Sequence, residues 1–370
     1  MAIEIIDLKK RFQEEKYEIL KCINRVLKKG NFILTPEVQN FEKSICKFTG
    51  SKYCLGVNSG TDALMMSLWS AGIKKGDEII TSPISFIASA SSIIHVGARP
   101  VFVDVDDDLN INPNLIESAI TKKTKAIMPI HWTGRVCDMD KILKIAKKHN
   151  LIIVEDAAQA MGAYFKKKHA GTFGKISAFS THPLKNLNGL GDGGFIVTNE
   201  KKLYDKIKLF RSHGLKGRDN VEIIGLNSRL DSLHAEVLNF RLKRLKNIIR
   251  RRQRNVNLYR KLLKTRKVNI LLDKKIEKNA YVMFIMLCEK RDELQKYLKK
   301  FKIQSLVYYN TPLHLHKGTR FLGYKKGDFP KAEKFSKKVL SFPHHQNLKK
   351  SEIEFVSKKI NVLSPRFTTY

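Results

Sequence analysis

Apolar residues follow two different spacings between residues 53 and 199. Short runs rich in Val and Ile predict strands, and the longer stretches between them have apolar residues at helical spacing. The predicted strands are 53–57, 78–82, 99–105, 126–131, 151–156 and 194–198. The predicted helices are 61–71, 86–95, 112–120 and 139–149. Strands that alternate with helices favour a three-layer α/β/α domain with a mostly parallel sheet.

The pattern changes after residue 230 and predicts a second, smaller domain. Residues 231–267 indicate one or two helices, which we interpret as a hinge between the domains. The strands predicted beyond it are 268–289 and 303–309, and the helices are 331–341 and 352–360. We therefore expect a large domain over residues 1–245, including the N-terminal segment, and a C-terminal α+β domain over residues 246–370.

Size and composition limit the class of protein. The chain has 370 residues, of which 42% are hydrophobic, enough for one large core or for a large and a small one. No apolar run is long enough to span a bilayer, and the first residues do not have the pattern of a secretory signal. Five scattered cysteines show neither metal-site spacing nor a disulfide pattern. We expect a cytoplasmic protein without a metal site or a membrane partner.

The net charge of +35, from 70 basic and 35 acidic residues, makes nucleic-acid binding an alternative from another class. The densest basic run, 241–254, carries apolar residues at helical spacing, at Leu242, Leu245, Ile248 and Ile249. One face of this helix is therefore expected to be buried, and its charges form a solvated face. The basic excess is also spread over the whole chain. We expect no nucleic-acid partner, although a basic surface helps to capture an anionic substrate such as a sugar diphosphate.

Two residues carry the candidate chemistry. Lys185 lies in a stretch with few other charges, shortly before the glycine cluster 191–194, where backbone can approach a ligand closely. Asp156 closes an apolar strand, and its alternative role is to cap the segment that follows. A lysine that forms a Schiff base and an aspartate that keeps a pyridine nitrogen protonated are the minimum apparatus for pyridoxal phosphate chemistry.

The turn 59–62 and the residue Phe86 add two weaker signals. In the turn a strand runs into Gly60, Thr61 and then a helix, and a helix N-terminus with free amides and a hydroxyl can bind phosphate. Ser180 could add a second hydroxyl to the same phosphate. Phe86 follows a strand end, where its ring could stack on a flat heterocycle. The alternatives are an ordinary capped helix and a core phenylalanine.

These residues fall within a set of motifs that resembles the DegT/StrS-type sugar aminotransferase family, which comprises pyridoxal-phosphate enzymes of fold type I. The matching segments are 58–64, 154–159, 179–185, 191–194, 225–230 and 312–314, with shorter matches at 32–38 and 327–330. The matches occur in the right order along nearly the whole chain. Each motif alone is modest, whereas the ordered set is highly specific.

The resemblance implies a cofactor, pyridoxal 5'-phosphate, and a role for each residue around it. Lys185 is the expected catalytic lysine, which binds the cofactor covalently. The expected cofactor contacts are Asp156 at the ring nitrogen, Gln159 at the ring hydroxyl, Phe86 stacked on the ring, and Gly60, Thr61 and Ser180 at the phosphate. Asn227 matches an asparagine that completes the phosphate site of the neighbouring subunit. The resemblance therefore implies a homodimer with shared active sites.

Three further residues are expected to bind the substrates. Arg229 matches a residue near the carboxylate of the amino donor, where an arginine fork suits a bidentate contact, and a structural salt bridge remains its alternative role. Tyr309 and His314 match a loop that reaches towards the sugar. The chain departs from the family pattern at 131–134, where His-Trp-Thr-Gly replaces the more usual His-Leu-Tyr-Gly, and at His234, where glutamine is common.

The implied activity is transfer of the amino group of glutamate to a nucleotide-linked keto-sugar, giving an amino-sugar for polysaccharide or glycoconjugate biosynthesis. Two half-reactions at one site predict ping-pong kinetics. Some members of the family are dehydratases with histidine in place of the lysine, and the presence of Lys185 argues against that activity. Other members aminate cyclitols or related keto substrates, and the sequence leaves that alternative open.

Overall fold

A seven-stranded sheet lies at the centre of the computed structural model, which describes residues 2–362. The helices are α1 (Leu8–Leu27), α2 (Pro36–Thr49), α3 (Gly60–Ser70), α4 (Ala88–His95), α5 (Met139–Lys148), α6 (Lys201–Phe210), α7 (Ser232–Leu262), α8 (Arg291–Lys300), α9 (Pro330–Lys338) and α10 (Lys350–Val362). The strands are β1 (Tyr53–Val57), β2 (Glu78–Thr81), β3 (Arg99–Phe102), β4 (Thr124–Ile127), β5 (Ile152–Asp156), β6 (Tyr164–Phe165), β7 (Lys168–His169), β8 (Ile176–Ser180), β9 (Gly194–Thr198), β10 (Val268–Ile270), β11 (Glu277–Lys278), β12 (Ile285–Cys288) and β13 (Val339–Ser341).

The central sheet has the strand order β1-β9-β8-β5-β4-β2-β3. β9 is antiparallel to both of its neighbours, and the other neighbouring strands pair in parallel. β9 can run antiparallel to β8 because the loop 181–193 joins the two strands directly, whereas a parallel pair needs a longer crossover. The mostly parallel sheet confirms the predicted fold class.

Helices cover both faces of this sheet and produce three layers. On one face, α2, α5 and α7 contribute the buried residues Phe41, Met139 and Leu238. On the other face, α3 and α6 contribute Leu64 and Ile207. Full burial of one such side chain contributes about 1.5–3 kcal/mol, so the apolar stripes of these helices account for their attachment to the sheet.

A smaller sheet, β10-β12-β13, packs against α8, α10 and the C-terminal part of α7. Ile3 joins this second core because it pairs with Ile303. The predicted hinge is one continuous helix of 31 residues, which runs through the predicted domain boundary at residues 245 and 246. The division at that boundary stays a prediction, and residues 363–370 of the predicted smaller domain lie outside the described part of the chain.

The structure corrects four element predictions. The predicted strand 268–289 divides into the short strands β10, β11 and β12, because the largely exposed segment 271–276 and the segment 279–284 belong to no strand. Residues 112–120 form two single-turn 3-10 helices, Pro113–Leu115 and Glu117–Ala119, because the exposed Leu115 leaves no second buried turn. The predicted strand 303–309 makes only isolated bridges among the described residues, since Ile303 and Leu306 pair with different partners. The helix predicted over 331–341 ends at Lys338, and the last three residues form β13.

β8 was absent from the predicted strands, although it is a central strand of the sheet. Its sequence, Ile-Ser-Ala-Phe-Ser, lacks the Val and Ile richness of its neighbours. The burial of this strand between β5 and β9 supplies the stabilisation that its own residues do not indicate. Within residues 2–362, no helix combines the length and apolarity needed to cross a membrane.

Candidate active site

A cavity of about 310 Å³ lies at the edge of the central sheet where the parallel strands end. Asp156 ends β5 and Ser180 ends β8, while Gly60 and Phe86 follow shortly after β1 and β2. Lys185 lies in the loop between β8 and β9. Ligands of open α/β sheets bind at this edge because the loops that follow parallel strands converge there.

The structure brings eight of the eleven predicted site residues together. The residues lining the cavity are Gly60, Thr61, Phe86, Asp156, Gln159, Ser180, Lys185 and Tyr309. The remaining three, Asn227, Arg229 and His314, are not among the described residues that line it. Most of the predicted cofactor residues therefore share one cavity, and two of the three predicted substrate residues lie elsewhere in this chain.

The amine of Lys185 lies in a poorly solvated place. Burial lowers the pKa of Lys185 from 10.5 to about 8, and the nearby carboxylate of Asp156 opposes part of this shift. Within residues 2–362, its Nζ has no hydrogen-bond acceptor. A lysine in this condition is partly neutral near neutral pH, so it can act as a nucleophile or as a proton acceptor.

Asp156 is buried, with two hydrogen bonds to its carboxylate. Oδ2 accepts a hydrogen bond from Ser89 Oγ at 2.7 Å, and Oδ1 accepts one from the N–H of Ala158 at 3.1 Å. Burial raises the pKa of Asp156 above its ordinary value, and these hydrogen bonds oppose the shift only in part. A cationic group beside this carboxylate would keep it ionised, so Asp156 is suited to bind a protonated ring nitrogen.

The predicted ring-hydroxyl residue, Gln159, is oriented by the backbone of the segment 131–134. Its Oε1 accepts a hydrogen bond from the N–H of Thr133 at 2.7 Å, so the Nε2 group is the donor end of the amide and faces the hydroxyl of Tyr309. Thr133 adopts a left-handed conformation, with φ of 61°. The segment that departs from the family pattern therefore contacts a predicted cofactor residue through a backbone N–H, which every residue type except proline supplies.

The turn before α3 forms a tight pocket. Ser59 caps the helix, since its side chain accepts a hydrogen bond from the N–H of Asp62 at 3.0 Å. A Cβ atom at Gly60 would come within 2.7 Å of Ser180 Cβ, so only glycine fits against β8 at this point. The first N–H groups of α3 and the Ser180 hydroxyl thus face a common space, which suits a phosphate group.

Phe86 is exposed, although it is a large aromatic residue at the cavity wall. More than half of its surface, 55%, is accessible, and its ring centroid lies 6.3 Å from that of Tyr309. The alternative of a core phenylalanine is therefore wrong. An aromatic face left open beside Asp156 and Lys185 is suited to stack on a planar ligand.

Several lining residues were not predicted. Ser89 and Ser85 form a hydroxyl pair at 2.7 Å, and Ser89 also bonds to Asp156; Ser89 lies in α4 and Ser85 three residues before its start, so no helical pattern marked the pair. His182 was part of a matched motif but received no role. The lining residues Ile5, Val282, Met283 and Tyr308 come from distant parts of the chain, and no local pattern marks them.

Asn227 and Arg229 lie together on the surface beside the phosphate pocket. Arg229 Nε donates a hydrogen bond to Asn227 Oδ1 at 3.0 Å. Between them, Ser228 anchors the segment to the start of α3, because its hydroxyl donates to Asp62 Oδ2 at 2.7 Å. The two predicted residues therefore do not line the cavity of their own chain, although the residue between them is bonded to the first turn of α3.

His314 lies in a packing cluster away from the cavity. It is almost fully buried, its Nε2 lies 3.2 Å from Glu333 Oε1, and its ring meets the ring of Phe329 edge-on. Burial lowers the pKa of His314 from its ordinary value, which the partner Glu333 opposes. In this chain, the position of His314 is explained by packing against α9, and its predicted contact with the sugar stays a prediction.

The residues present fit pyridoxal 5'-phosphate. A buried carboxylate for the ring nitrogen, a lysine amine without an acceptor, an open aromatic face and a glycine-lined pocket for the phosphate meet in one space. The described residues contain no cluster of His, Cys, Asp or Glu arranged to hold a metal ion.

Comparison with known proteins gives the family that the sequence motifs resemble, and the match extends over nearly the whole chain. The sequence model of the DegT/DnrJ/EryC1/StrS aminotransferase family matches residues 13–361. A pleiotropic regulatory protein of Geobacillus stearothermophilus is 38% identical over 97% of this chain and 98% of its own. The dTDP-3-amino-3,6-dideoxy-alpha-D-galactopyranose transaminase of Aneurinibacillus thermoaerophilus is 36% identical over 97% of this chain and 99% of its own.

The fold agrees with a solved structure of similar length. The X-ray crystal structure of S. venezuelae DesV superposes with a TM-score of 0.96, at 34% sequence identity. The superposition covers 99% of each chain. The central sheet and the smaller C-terminal sheet therefore occur together in an enzyme of known structure.

Proposed function

The chain belongs to the DegT/DnrJ/EryC1/StrS aminotransferase family, and we propose that it transfers the amino group of glutamate to a nucleotide-linked keto-sugar. It is a sugar aminotransferase that uses pyridoxal 5'-phosphate. The observation that carries the proposal is the meeting of Lys185, Asp156 and the start of α3 in one cavity. The product would be an amino-sugar of the kind used in polysaccharides and other glycoconjugates.

Each cavity residue has a separate task in this proposal. When bound, pyridoxal 5'-phosphate withdraws electrons from the substrate carbon next to the reacting nitrogen, so that this carbon can lose a proton. Lys185 Nζ would take that proton and donate it to the carbon on the other side of the reacting nitrogen. Its pKa of about 8 supports this task, since part of the population is neutral and can accept a proton near neutral pH.

The other residues would hold the cofactor in place. Asp156 would bind the ring nitrogen, and Gln159, fixed by the N–H of Thr133, would donate to the ring hydroxyl. Phe86 would cover one face of the ring. The phosphate would lie against Gly60, Thr61 and Ser180, where the helix dipole of α3 adds to the hydrogen bonds.

We propose that the enzyme works as a homodimer. Large apolar side chains are exposed at the cavity wall, at Phe86 and Leu184, and we propose that they form one surface with exposed residues that are close to them or to Asn227 in the sequence: Ile87, Leu190, Val221, Ile224 and Leu226. A second copy of the chain would cover this surface. Asn227 lies at the edge of it, so Asn227 of the partner subunit would reach the phosphate pocket, and Arg229 would reach the carboxylate of glutamate.

The two alternatives are not favoured. The similar enzyme of Aneurinibacillus thermoaerophilus is a transaminase of a dTDP-linked sugar, which favours a nucleotide-linked sugar over a cyclitol as the substrate. The aminotransferase family model covers nearly the whole chain, which favours an enzyme over a nucleic-acid-binding protein. We also propose a cytoplasmic location, which the five free cysteines support, because a reducing compartment keeps thiols unpaired.

The visible absorption spectrum of the purified protein tests the proposal. We expect a yellow band that disappears when glutamate is added and returns when a nucleotide-linked keto-sugar is supplied. A band that glutamate leaves unchanged would contradict glutamate as the donor. A protein that stays colourless after addition of pyridoxal 5'-phosphate would contradict the proposed roles of Lys185 and Asp156.

A further inference from the structure

Two buried arginines of α7 are bonded to the segment that directly follows Lys185. Arg241 and Arg252 are only 4% and 1% exposed. They are eleven residues apart, which is about three turns of an α-helix, so both side chains leave the same side of α7. The function proposed above assigns neither of them a role.

Arg252 connects the segment after Lys185 to a second wall of the cavity. Its Nη1 donates to Asn186 Oδ1 at 2.6 Å and to the carbonyl oxygens of Tyr281 and Val282 at 3.1 and 3.3 Å. Val282 lines the cavity, and Asn186 is the residue next to Lys185. Asn186 is itself held on its other side, since its Nδ2 donates to the carbonyl of Ala280 at 2.7 Å.

Arg241 holds the far end of the same loop. Its Nη1 donates to the carbonyl oxygens of Asn188 and Gly189 at 2.7 and 3.0 Å. The N–H of Gly189 in turn donates to the carbonyl of Thr181 at 2.7 Å, so the loop 181–189 is closed by a backbone hydrogen bond. Lys185 therefore lies in a closed loop that is fixed to one helix at two points.

The two arginines differ in how their charge is compensated. Arg241 pairs with the buried Glu15 at 2.9 Å, whereas in the described part of the chain no carboxylate forms an ion pair with Arg252. Burial lowers the pKa of Arg252 to about 9, and the neighbouring Arg11 adds to this effect. Burying a cation without a carboxylate is costly, and the neutral oxygen acceptors around Arg252 are what offsets that cost. The loop 181–189 is held partly by the bond between Arg252 and Asn186. Removing that bond should therefore loosen this loop, whereas the backbone hydrogen bonds of α7 are unaffected.

We propose that Arg252, supported by Arg241, is a positioning residue that sets the place of the Lys185 amine in the cavity. This inference rests on the proposed role of Lys185. The amine of Lys185 is faced by Asp156 from β5 and by His182 from its own loop, and its low pKa comes mainly from burial. If the loop loosens, the amine gains access to water, and its pKa rises towards the ordinary value.

The pH dependence of Lys185 modification in the apoenzyme tests this inference. The protein is pulse-acetylated over a range of pH, and the modification of Lys185 is followed by peptide mass spectrometry. We expect a midpoint near the pKa of about 8 in the wild type. Asn186→Ala, which removes one acceptor of Arg252, and Arg252→Met should raise the midpoint by about one unit, a tenfold change in the protonation equilibrium.

Two controls separate positioning from a general loss of structure. Arg250→Gln removes an exposed arginine of the same helix that bonds to Asn247, and it should leave the midpoint unchanged. Arg252→Lys keeps the charge without the planar fork, and it should give an intermediate midpoint. Circular dichroism checks folding, and if Arg252→Met does not fold, Asn186→Ala carries the test.

The outcomes distinguish the inference from the proposed function. An unchanged midpoint in folded Asn186→Ala would overturn the positioning role, even if the wild type shows the band that glutamate removes. A wild-type protein that never gains the visible band would overturn the role of Lys185, and the positioning role would fail with it. A raised midpoint together with a lower kcat for amino transfer and unchanged secondary structure would support the inference.

Discussion

Glu155 and Asp156 are neighbouring buried carboxylates, but the hydrogen bonds that offset the cost of burying their charges differ. Burial would raise the pKa of Glu155, yet the hydrogen bonds from His131 and from the N–H groups of Gly171 and Gly174 outweigh it, and the pKa is lowered. Asp156 has fewer donors, and its pKa is raised. The carboxylate of Glu155 is therefore saturated with hydrogen bonds from the protein, whereas that of Asp156 retains the capacity to bind a further cationic group.

The tautomer of His131 follows from its two contacts. Its Nδ1 accepts a hydrogen bond from the N–H of Cys137 at 3.2 Å, so the proton on Nε2 is the one that faces Glu155 at 2.8 Å. Replacing Glu155 by glutamine would place an amide among several donors. We expect Glu155→Gln to lower the free energy of unfolding by roughly 3 kcal/mol near neutral pH.

This stabilisation should depend on pH. Because the folded-state pKa of Glu155 lies below its ordinary value of 4.5, its contribution is complete above about pH 5 and is lost as the pH falls through the folded-state pKa. Denaturant unfolding from pH 7 to pH 3 gives the free energy of unfolding of the wild type and of Glu155→Gln. The difference between the two free energies should become smaller as the pH falls. A difference that does not change with pH would contradict the assignment.

The role of Lys185 can be tested with a single substitution. Lys185→Ala removes the amine that moves the proton, so amino transfer should fall by roughly 10³-fold or more while the circular dichroism spectrum stays unchanged. Lys296→Ala, on the exposed side of α8, is a matched control and should keep normal turnover. Substantial activity in Lys185→Ala would mean that another group carries out the proton transfer.

At the scale of elements, the contact between α3 and β8 shapes the phosphate pocket. Gly60 begins α3 and Ser180 ends β8, and their close approach leaves no room for a side chain at position 60. The hydrogen bond between Ser228 and Asp62 then joins the segment 226–229 to the same first turn. Two separate parts of the chain, β8 and the segment 226–229, are thus held against one helix N-terminus, where the helix dipole favours a bound anion.

Gly60→Ala tests this contact. The added Cβ atom would come within 2.7 Å of Ser180 Cβ, so β8 or α3 must shift, and we expect the affinity for pyridoxal 5'-phosphate to fall by about tenfold or more. Gly318→Ala is the control, because a Cβ atom there meets nothing within 4 Å. Cofactor titration followed by absorbance measures both. Equal affinities in the two variants would show that the pocket tolerates the shift.

At the scale of the whole molecule, the active site extends beyond one chain in our proposal. The exposed apolar residues Phe86 and Leu184 at the cavity wall, and the exposed Leu226 next to Asn227 in the sequence, support a second subunit there. The helix α7 belongs to both parts of the chain, since its first half covers the central sheet and its second half joins the C-terminal core.

Mixed dimers test the shared site. Asn227→Ala should weaken cofactor binding, so this variant should be nearly inactive when the cofactor concentration is limiting. Lys185→Ala should also be nearly inactive, because it lacks the amine. In a mixed dimer, one site would combine both substitutions and the other would contain neither. Equal mixing should therefore restore about a quarter of the wild-type activity, since half of the dimers are mixed and each has one intact site. No recovery after verified subunit exchange would contradict a site shared between subunits.

Much of the fold and of the candidate site follows from residues that are close together in the chain. The six strands predicted between residues 53 and 199 were found because each is a short run of apolar residues, and the predicted phosphate turn was recognised because Ser59, Gly60 and Thr61 are consecutive. The ordered motifs also indicated Lys185 and Asp156. By itself, then, the sequence determined the fold class and indicated most of the residues that line the cavity as candidate cofactor contacts, since these depend on local periodicity and on short motifs.

Only the tertiary structure decided which distant residues share the cavity and which do not. β8 became a strand because its neighbours bury it, and His314 does not line the cavity of this chain, where it packs beside Glu333 of α9. The bond between Arg252 and Asn186 joins residues that are 66 positions apart, and no periodicity along the chain indicates such a contact. Local patterns report the preferences of a segment, whereas contacts between distant segments depend on how all the elements pack together.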